Sequence, residues 1–453
     1  MQNLSCYGSG LILPSNPFSD TRHRLLHFAS GGDGWRLPER CKPVPLPPAS
    51  KIHLNSNSNS KPFDLFVAAA QTQPLLPHTF PTVTEDNFRF SGATNLVSGT
   101  DSVPFDAWTH WKKLGRPKFI VAPMVDHSEL PFRLLCRKYG AHAAYTPMLH
   151  ARVFNENPRY RSREFSTCKE DRPLLVQFCA NNPDVLLEAA QRVEPYCDYV
   201  DINLGCPQNF AKRGNYGAYL MSNLPLVKSL VERLAKNLSI PVSCKIRIFP
   251  DIQDTINYTK MLEDAGCSLL AVHGRTIDQK DQKTIRANWD VIKAVRKVVS
   301  IPVLANGNIR HIDDVWRCLE ETGVEGILSA EAILENPALF AGYRLTGEWV
   351  LGNGEMVKDL KLDQGELVVE YLKLCEKYPV PWGIIVSHVH KMLGDWFRIH
   401  PNVRDEFNAQ KSLTFEYLYE MVFRLRELGV TLPLCVTHTN LHRLHCINSV
   451  KSC

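Results

Sequence analysis

The sequence predicts an α/β protein, a (β/α)8 TIM barrel followed by a small C-terminal helical domain. Three observations carry this reading. Eight short apolar stretches recur between Lys118 and Tyr343, at 119–122, 143–146, 174–178, 199–203, 242–246, 269–273, 303–306 and 326–329. Between them lie segments with the three-to-four-residue apolar spacing of amphipathic helices. Finally, the first strand runs into Ala122-Pro-Met-Val-Asp, not the Gly-x-Gly-x-x-Gly turn of an open doubly wound sheet. Eight strand-and-helix units in about 225 residues are the dimensions of a barrel.

The chain ahead of the barrel is of another kind. Residues 1–104 are rich in Ser, Asn and Pro, and include Asn55-Ser-Asn-Ser-Asn-Ser60. Residues 1–63 hold seven Lys/Arg against three Asp/Glu. Such a segment buries too little apolar surface to offset its chain entropy, which predicts a disordered or transit-like extension. The barrel domain is expected over 105–347, with order starting near Trp108-Thr-His-Trp111. Within it, Asn182-Pro183 reads as a helix N-cap followed by proline at the first helical position, and Val185 to Val193 carry the stripe. Segments 224–238, 254–265, 289–299 and 313–322 behave alike, with Gly266 and Gly323 as stop signals.

From about Leu362 the pattern is helical only, at 364–377, 384–398 and 412–428, which predicts a helical domain over 362–430. Residues 361–427 carry nine Lys/Arg and ten Asp/Glu, so net charge does not mark an RNA surface. A local cluster of His388, His390, Lys391, Arg398, His400 and Arg404 is the candidate, against a plain solvated face. The polar tail, 431–453, contains Cys435, His438, His442, His445 and Cys446. Their spacing fits no paired zinc motif, and no metal is expected.

Bulk composition bounds the function. With 44% hydrophobic and 22% charged residues, this is an ordinary globular chain, and a net charge of +5 permits an acidic partner without demanding one. The 14 cysteines include no Cys-x-x-Cys pair and sit in apolar runs, as reduced thiols would. No apolar run reaches the roughly 18 residues of a membrane span, so no membrane partner is expected.

Function in a barrel belongs at the C-terminal tips of the strands. Those tips read Pro123-Met124, Gln177, Asn203 with Cys206, Lys245 with Arg247, His273 with Arg275, Asn306-Gly-Asn308, and Ser329-Ala-Glu331. Each alone is an ordinary turn residue; seven converging on one rim point to a site. Cys206, between Gly205 and Pro207, is by type alone more often a packed hydrophobe than a reagent. The set suits a flavin. Lys245 in an apolar strand needs an anionic partner, which the N1/O2 edge of a reduced isoalloxazine supplies. Gln177 offers donors and acceptors to a ring edge. Asn306-Gly307 and Ala330 end the last two strands, where barrels commonly hold phosphate. Glu331 beside a phosphate must then point away, leaving backbone amides to bind it.

Asp201-Ile-Asn-Leu-Gly-Cys-Pro-Gln, Lys212-Arg-Gly-Asn-Tyr-Gly-Ala-Tyr-Leu, Cys244-Lys-Ile-Arg, Val272-His-Gly-Arg-Thr, Ala305-Asn-Gly-Asn-Ile and Ser329-Ala-Glu with Asn336-Pro resemble the tRNA-dihydrouridine synthases. The resemblance covers roughly 108–345. Ala122-Pro-Met-Val-Asp and Tyr145-Thr-Pro-Met-Leu-His are similar to the eukaryotic subgroup acting on D-loop positions 16 and 17. This implies FMN-dependent reduction of uridine in tRNA to 5,6-dihydrouridine, with NADPH (NADH as an alternative) recharging the flavin. It implies Cys206 as the proton donor to C5, opposite hydride delivery at C6. Pro123, Met124 and Val125 would line the flavin ring, with Gln177 and Lys245 at its polar edges. His273, Asn306, Gly307, Asn308, Ala330 and Glu331 would surround its phosphate end, and Asn203 would touch the uracil.

Two positions depart from the family pattern. Ala330-Glu331 stands where bacterial members have Gly-Arg, and Asn308 where many have Asp. The basic loop with Arg275, Lys280, Lys283 and Arg286 is the candidate guide for tRNA phosphates, and the protein is expected to act as a monomer. The competing readings are a flavin barrel reducing a free pyrimidine or other small alkene, and a non-catalytic RNA-binding protein.

Overall fold

The structure is a computed structural model. It describes residues 106–279, 285–343 and 363–429, with two two-residue strands at Trp349–Val350 and Met356–Val357. The extension expected over 1–104 and the tail at 431–453 lie outside the described residues.

Eight parallel strands close into a barrel: β1 Phe119–Val121, β2 Ala143–Tyr145, β3 Leu174–Cys179, β4 Tyr199–Leu204, β5 Val242–Arg247, β6 Cys267–His273, β7 Val303–Asn306 and β8 Gly326–Ser329. Closure is explicit in the pairing. β1 pairs with β2 on one side and with β8 on the other, with Ile120 opposite Leu328, and β2 continues onto β3. A further two-residue strand, Leu149–His150, extends the loop after β2 and pairs with the end of β3. The barrel is therefore as predicted, with strand limits differing by a residue or two.

Alternation along each strand separates two cores. In β4, Val200, Ile202 and Leu204 pack outward against the helices, while Tyr199 joins the inner cluster with Leu175, Leu269, Ala271, Leu304 and Leu328. The inner residues change character along the axis. Tyr199 gives way to Asp201 and Asn203, Leu175 to Gln177, and Leu269 and Ala271 to His273. The N-terminal end of the barrel is thus apolar and closed, with Trp111 of the helix Ala107–Lys113 buried in it. The C-terminal end is polar and open. Outer helices begin where the sequence places caps: Asn182 accepts from the backbone N–H groups of Asp184 and Val185, with Pro183 at the first position.

The C-terminal helices are Gln364–Lys377, Trp382–Met392, Gly394–Ile399, Pro401–Ala409 and Phe415–Leu428. Two details differ from expectation. The segment 384–398 is broken at Leu393, and a helix opening on Pro401 was not anticipated. That helix buries only Val403 and Phe407, too sparse a stripe to register as periodic. No helix among the described residues is long and apolar enough to cross a membrane.

A buried carboxylate fastens these helices to the barrel. Glu129, in the loop after β1, accepts from the Tyr371 hydroxyl at 2.8 Å and pairs with His388 Nε2 at 3.0 Å. Phe132 stacks on the His388 ring, and His127 meets the Ser387 hydroxyl at 2.6 Å. Burial pushes the Glu129 carboxyl up, but the His388 and Tyr371 contacts outweigh it and hold it below the usual glutamate value. Glu129→Ala strands two buried donors and should cost about 2–5 kcal/mol, read by denaturant unfolding of the full chain. Because the folded carboxyl is depressed, its contribution is present above the unfolded glutamate pKa and is lost as pH falls through the folded one. The gap between wild type and variant should therefore close at acid pH.

Candidate active site

The polar mouth of the barrel opens into a cavity of about 1180 Å3. One wall is the turn after β4. Asn203 points inward by strand alternation, and its Oδ1 accepts from the backbone N–H groups of Gly205 at 3.2 Å and Cys206 at 2.9 Å. The Cys206 carbonyl accepts from Ala218 N–H at 3.1 Å, and Arg247 Nε donates to the Gly205 carbonyl at 2.8 Å. Tyr219 ties the Pro207 carbonyl from the other side at 3.0 Å. Gly217 lets this packing happen: its φ is +67°, and a Cβ there would lie 2.7 Å from the Cys206 carbonyl oxygen. Cys206 is half-buried. Burial raises its thiol pKa above the ordinary value, outweighing the Gln208 N–H, Arg247 and Lys245, which all favour the thiolate. The thiol therefore holds its proton at neutral pH.

Facing this turn is a cluster of cations that burial weakens. The Lys245 pKa is lowered to about 8 by burial and by Arg247, against the opposing pull of Asp201 and Cys206. Its ammonium forms no hydrogen bond or ion pair with any described residue. Arg247 is lowered to about 10 by burial and by Arg275. His273 is held well below its usual value by burial and by Lys245, Arg247 and Arg275, so it is neutral. Crowded, partly desolvated cations of this kind favour an anion in the cavity.

The far end is a rigid lattice. Arg275 is only 1% exposed and donates to the Ile285 carbonyl at 2.9 Å, His273 Nε2 at 2.9 Å and Asn308 Oδ1 at 2.6 Å. Asn308 Oδ1 also accepts from Ala287 N–H at 2.7 Å, and Trp289 donates to the Gly307 carbonyl at 3.1 Å. Asn306 Nδ2 donates to the Leu328 carbonyl at 3.0 Å. Gly307, with φ of +113°, and Asn308, with φ of +63°, turn the backbone into the cavity.

Pro123, Met124, Val125, Gln177, Asn203, Cys206, Lys245, His273, Asn306, Gly307, Asn308, Ala330 and Glu331 all line this one cavity. Several expectations need correction. Arg275 is not on an exposed loop; it is buried and committed to the lattice above. Arg286 does not reach the cavity but lies over the Trp289 ring, 5.6 Å from its centre. Lys280 and Lys283 lie outside the described residues. Glu331 lines the cavity, and its charge offsets the burial that lowers the Arg275 pKa. Gln177 and Asn203 spend polar atoms on each other, since Asn203 Nδ2 donates to Gln177 Oε1 at 2.8 Å.

The helical cluster is not one surface either. His388 is wholly buried on Glu129, His390 packs against Phe397 and Phe407, His400 meets the Gly429 carbonyl, and Arg398 and Arg404 pair with Asp395 and Asp405. Lys391 does reach the cavity, with Asp395, His127, Met148, Arg310 and His311. Of the cavity residues to which the sequence reading gave no part in the site's chemistry, Arg247 was recoverable, because it stands two residues from Lys245 on the same inward face and was already read at the rim. Lys391 was not, because only the tertiary docking of the helices brings it there.

Comparison with known proteins now bears on this site. The dihydrouridine synthase (Dus) family profile matches residues 120–412, spanning the barrel and most of the helical segment. The chain belongs to that family. A Rattus norvegicus relative, tRNA-dihydrouridine(16/17) synthase (NAD(P)(+))-like, is 45% identical over 324 residues, covering 71% of this chain and 70% of that protein. The Schizosaccharomyces pombe tRNA-dihydrouridine(16/17) synthase is 44% identical over 305 residues, 65% of this chain and 74% of its own length. A Mus musculus tRNA-dihydrouridine(20a/20b) synthase-like protein is 41% identical over a shorter 230 residues, 50% of this chain and 70% of that protein.

The tight seat of Cys206 on Gly217 yields a direct expectation. Gly217→Ala combines a left-handed backbone with a clash, and should displace the Cys206 turn while sparing the barrel. Site-resolved alkylation of Cys206 should change in rate with the far-ultraviolet circular dichroism unaltered; an unchanged rate would show that the turn tolerates a side chain there.

Proposed function

We propose that this chain reduces uridine to 5,6-dihydrouridine in the D-loop of tRNA, using FMN recharged by NADPH. The observation that carries the reading is the joint occupancy of one cavity by a protonated thiol, Cys206, and a cation, Lys245, that pairs with no described residue. The names of the relatives, tRNA-dihydrouridine synthases with NAD(P), support the substrate and the reductant. The two 16/17 relatives align over more of the chain than the 20a/20b relative, which favours positions 16 and 17.

The residues present suit FMN. The cavity volume exceeds that of common small-ligand sites, about 300–1,000 Å3, leaving room for a nucleobase beside the cofactor. Lys245 and Gln177 would hold the polar edges of the ring, and Pro123, Met124 and Val125 its face. His273, Asn306 to Asn308 and the backbone at Ala330 and Glu331 would hold the phosphate end, with Arg275 compensating Glu331. When bound, reduced FMN supplies a hydride for C6 of the uracil.

Cys206 then completes the reaction from the protein side. Its raised pKa keeps the proton available for C5, and the thiolate left behind recovers a proton from solvent through the open mouth. Lys245 and Arg247 stabilise that thiolate transiently without ionising the resting thiol. The target base must leave the RNA stack to reach the cavity, which costs least for an unpaired loop nucleotide. We assign the helices over 362–430 to tRNA binding, with Lys391 contributing from the cavity wall.

Cys206→Ala should retain bound flavin and lose turnover on tRNA by about 100-fold or more, as removal of a general acid does. Wild-type turnover in that variant would refute the proton-donor role. Mapping dihydrouridine in tRNA from cells lacking the protein should show loss at positions 16 and 17; loss elsewhere would move the target within the family. On the alkaline side, flavin affinity should decline as pH rises through about 8, where Lys245 loses its charge. Fluorescence titration of FMN against pH measures this, and Lys245→Met should flatten the decline.

A further inference from the structure

Beneath Gln177 and Asn203, at the floor of the cavity, lie two polar side chains that no step above uses. Asp201, on the inward face of β4, does not line the cavity and is wholly buried, as is Ser243 beside it on β5. Strand register sets Gln177 opposite Asp201 and Asp201 opposite Ser243. The Ser243 hydroxyl donates to Asp201 Oδ1 at 2.7 Å, and Gln177 Nε2 donates to Asp201 Oδ2 at 2.8 Å. Gln177 Oε1 accepts from Asn203 Nδ2 at 2.8 Å, and Asn203 Oδ1 accepts from the Cys206 N–H at 2.9 Å.

Read as donors and acceptors, this row has a direction. A primary amide can turn over and exchange its ends, so neither Gln177 nor Asn203 has an intrinsic orientation. Burial pushes the Asp201 carboxyl up to about 7, against the Ser243 and Gln177 hydrogen bonds and Lys245. Ionised, or carrying its proton on the Oδ1 that meets the Ser243 hydroxyl, it presents Oδ2 to Gln177 as an acceptor. The backbone N–H of Cys206 only donates. With an acceptor at the bottom, Gln177 must present its NH2 downward and its oxygen upward, and Asn203 must follow. A single reversal would bring two NH2 groups together, or NH2 against the Cys206 N–H, in a buried setting where unmade hydrogen bonds are costly.

We propose that Asp201 is a positioning residue that sets the polarity of the Gln177–Asn203 amide pair and thereby fixes the turn carrying Cys206. The inference rests on Cys206 as the proton donor. What Asp201 supplies is an acceptor rather than a charge. Ser243 makes the distinction, since its hydroxyl can rotate from donor to acceptor. An asparagine at 201 can keep its oxygen toward Gln177 and give its NH2 to Ser243, preserving the direction of the whole row. Leucine at 201 offers no acceptor, and asparagine without the Ser243 hydroxyl is held from the Gln177 side alone, with its buried NH2 left without an acceptor.

The test compares flavin-loaded full-length protein carrying D201N, D201L, S243A and D201N/S243A. Three quantities are read: turnover on tRNA against pH, flavin content by absorbance, and iodoacetamide alkylation of Cys206 by mass spectrometry. D201N and S243A should each stay within about threefold of wild type, and the double variant should fall at least about tenfold below the product of the single effects. D201L should lose about 100-fold in turnover while keeping flavin. In D201L and the double variant, Cys206 alkylation should shift by more than about threefold, and D201N should keep the wild-type pH–rate profile.

If D201L does not fold, the double-mutant cycle decides alone. Additive effects in that cycle, or D201N as impaired as D201L, overturn the proposal; the second result would mean that charge matters. Alkylation reports the placement of Cys206 whether or not it donates the proton. An alkylation shift alongside an active Cys206→Ala enzyme would therefore sink the proton-donor role and leave the positioning role standing.

Discussion

The two-residue period of eight strands closed on themselves is the constraint from which the rest of this structure follows. Closure gives every strand an inside and an outside, so each alternate residue is committed either to the helix-facing core or to the barrel axis. On the outside the choice is uniform: Val200, Ile202 and Leu204 have counterparts on every strand. On the inside it grades, from Tyr199, Leu175 and Leu269 at one end to Asn203, Gln177 and His273 at the other. Packing and chemistry thus occupy the two ends of one axis. The same register that stacks apolar layers below stacks Gln177, Asp201 and Ser243 into a polar layer above them.

Grading has an electrostatic consequence. Lys245, Arg247, His273 and Arg275 descend from neighbouring strands onto one small volume, and burial lowers the proton affinity of each. Burial acts oppositely on an acid, raising the Cys206 thiol. Low dielectric therefore prepares both halves of the proposed reaction at once: cations eager for an anion, and a thiol that keeps its proton although cations surround it. An exposed cysteine beside the same cations would be a thiolate, useful as a nucleophile and useless as an acid.

Much of this was legible from the chain, for reasons that differ by residue. Strands and outer helices follow short-range rules, so the eight strand positions and the Asn182 cap emerged from periodicity and turn chemistry. Residues at strand tips were legible as a group because a barrel sends all tips to one rim. Arg275 was grouped with the lysines and arginine of its loop, whereas its side chain turns back onto Ile285 of that same loop and onto Asn308 after β7, a contact that spacing does not announce. The helix opening on Pro401 escaped because two buried residues make no pattern. Lys391 and His388, three residues apart, illustrate the limit: one reaches the cavity and the other vanishes into a contact with Glu129, and only the docking of two modules decides which.

That contact also changes what truncation can reveal. Removing the helices to ask whether a bare barrel still reduces a free pyrimidine presumes that the barrel is complete without them. Glu129 says otherwise. Cut away Tyr371 and His388, and the loop after β1 is left with an apolar face and an uncompensated carboxylate, a few residues from Pro123, Met124 and Val125 at the mouth. Loss of activity in such a fragment would report a damaged rim as readily as a missing RNA surface. The two modules pack as one unit, and dissecting recognition from chemistry calls for point changes on solvent-facing helix residues rather than for scissors.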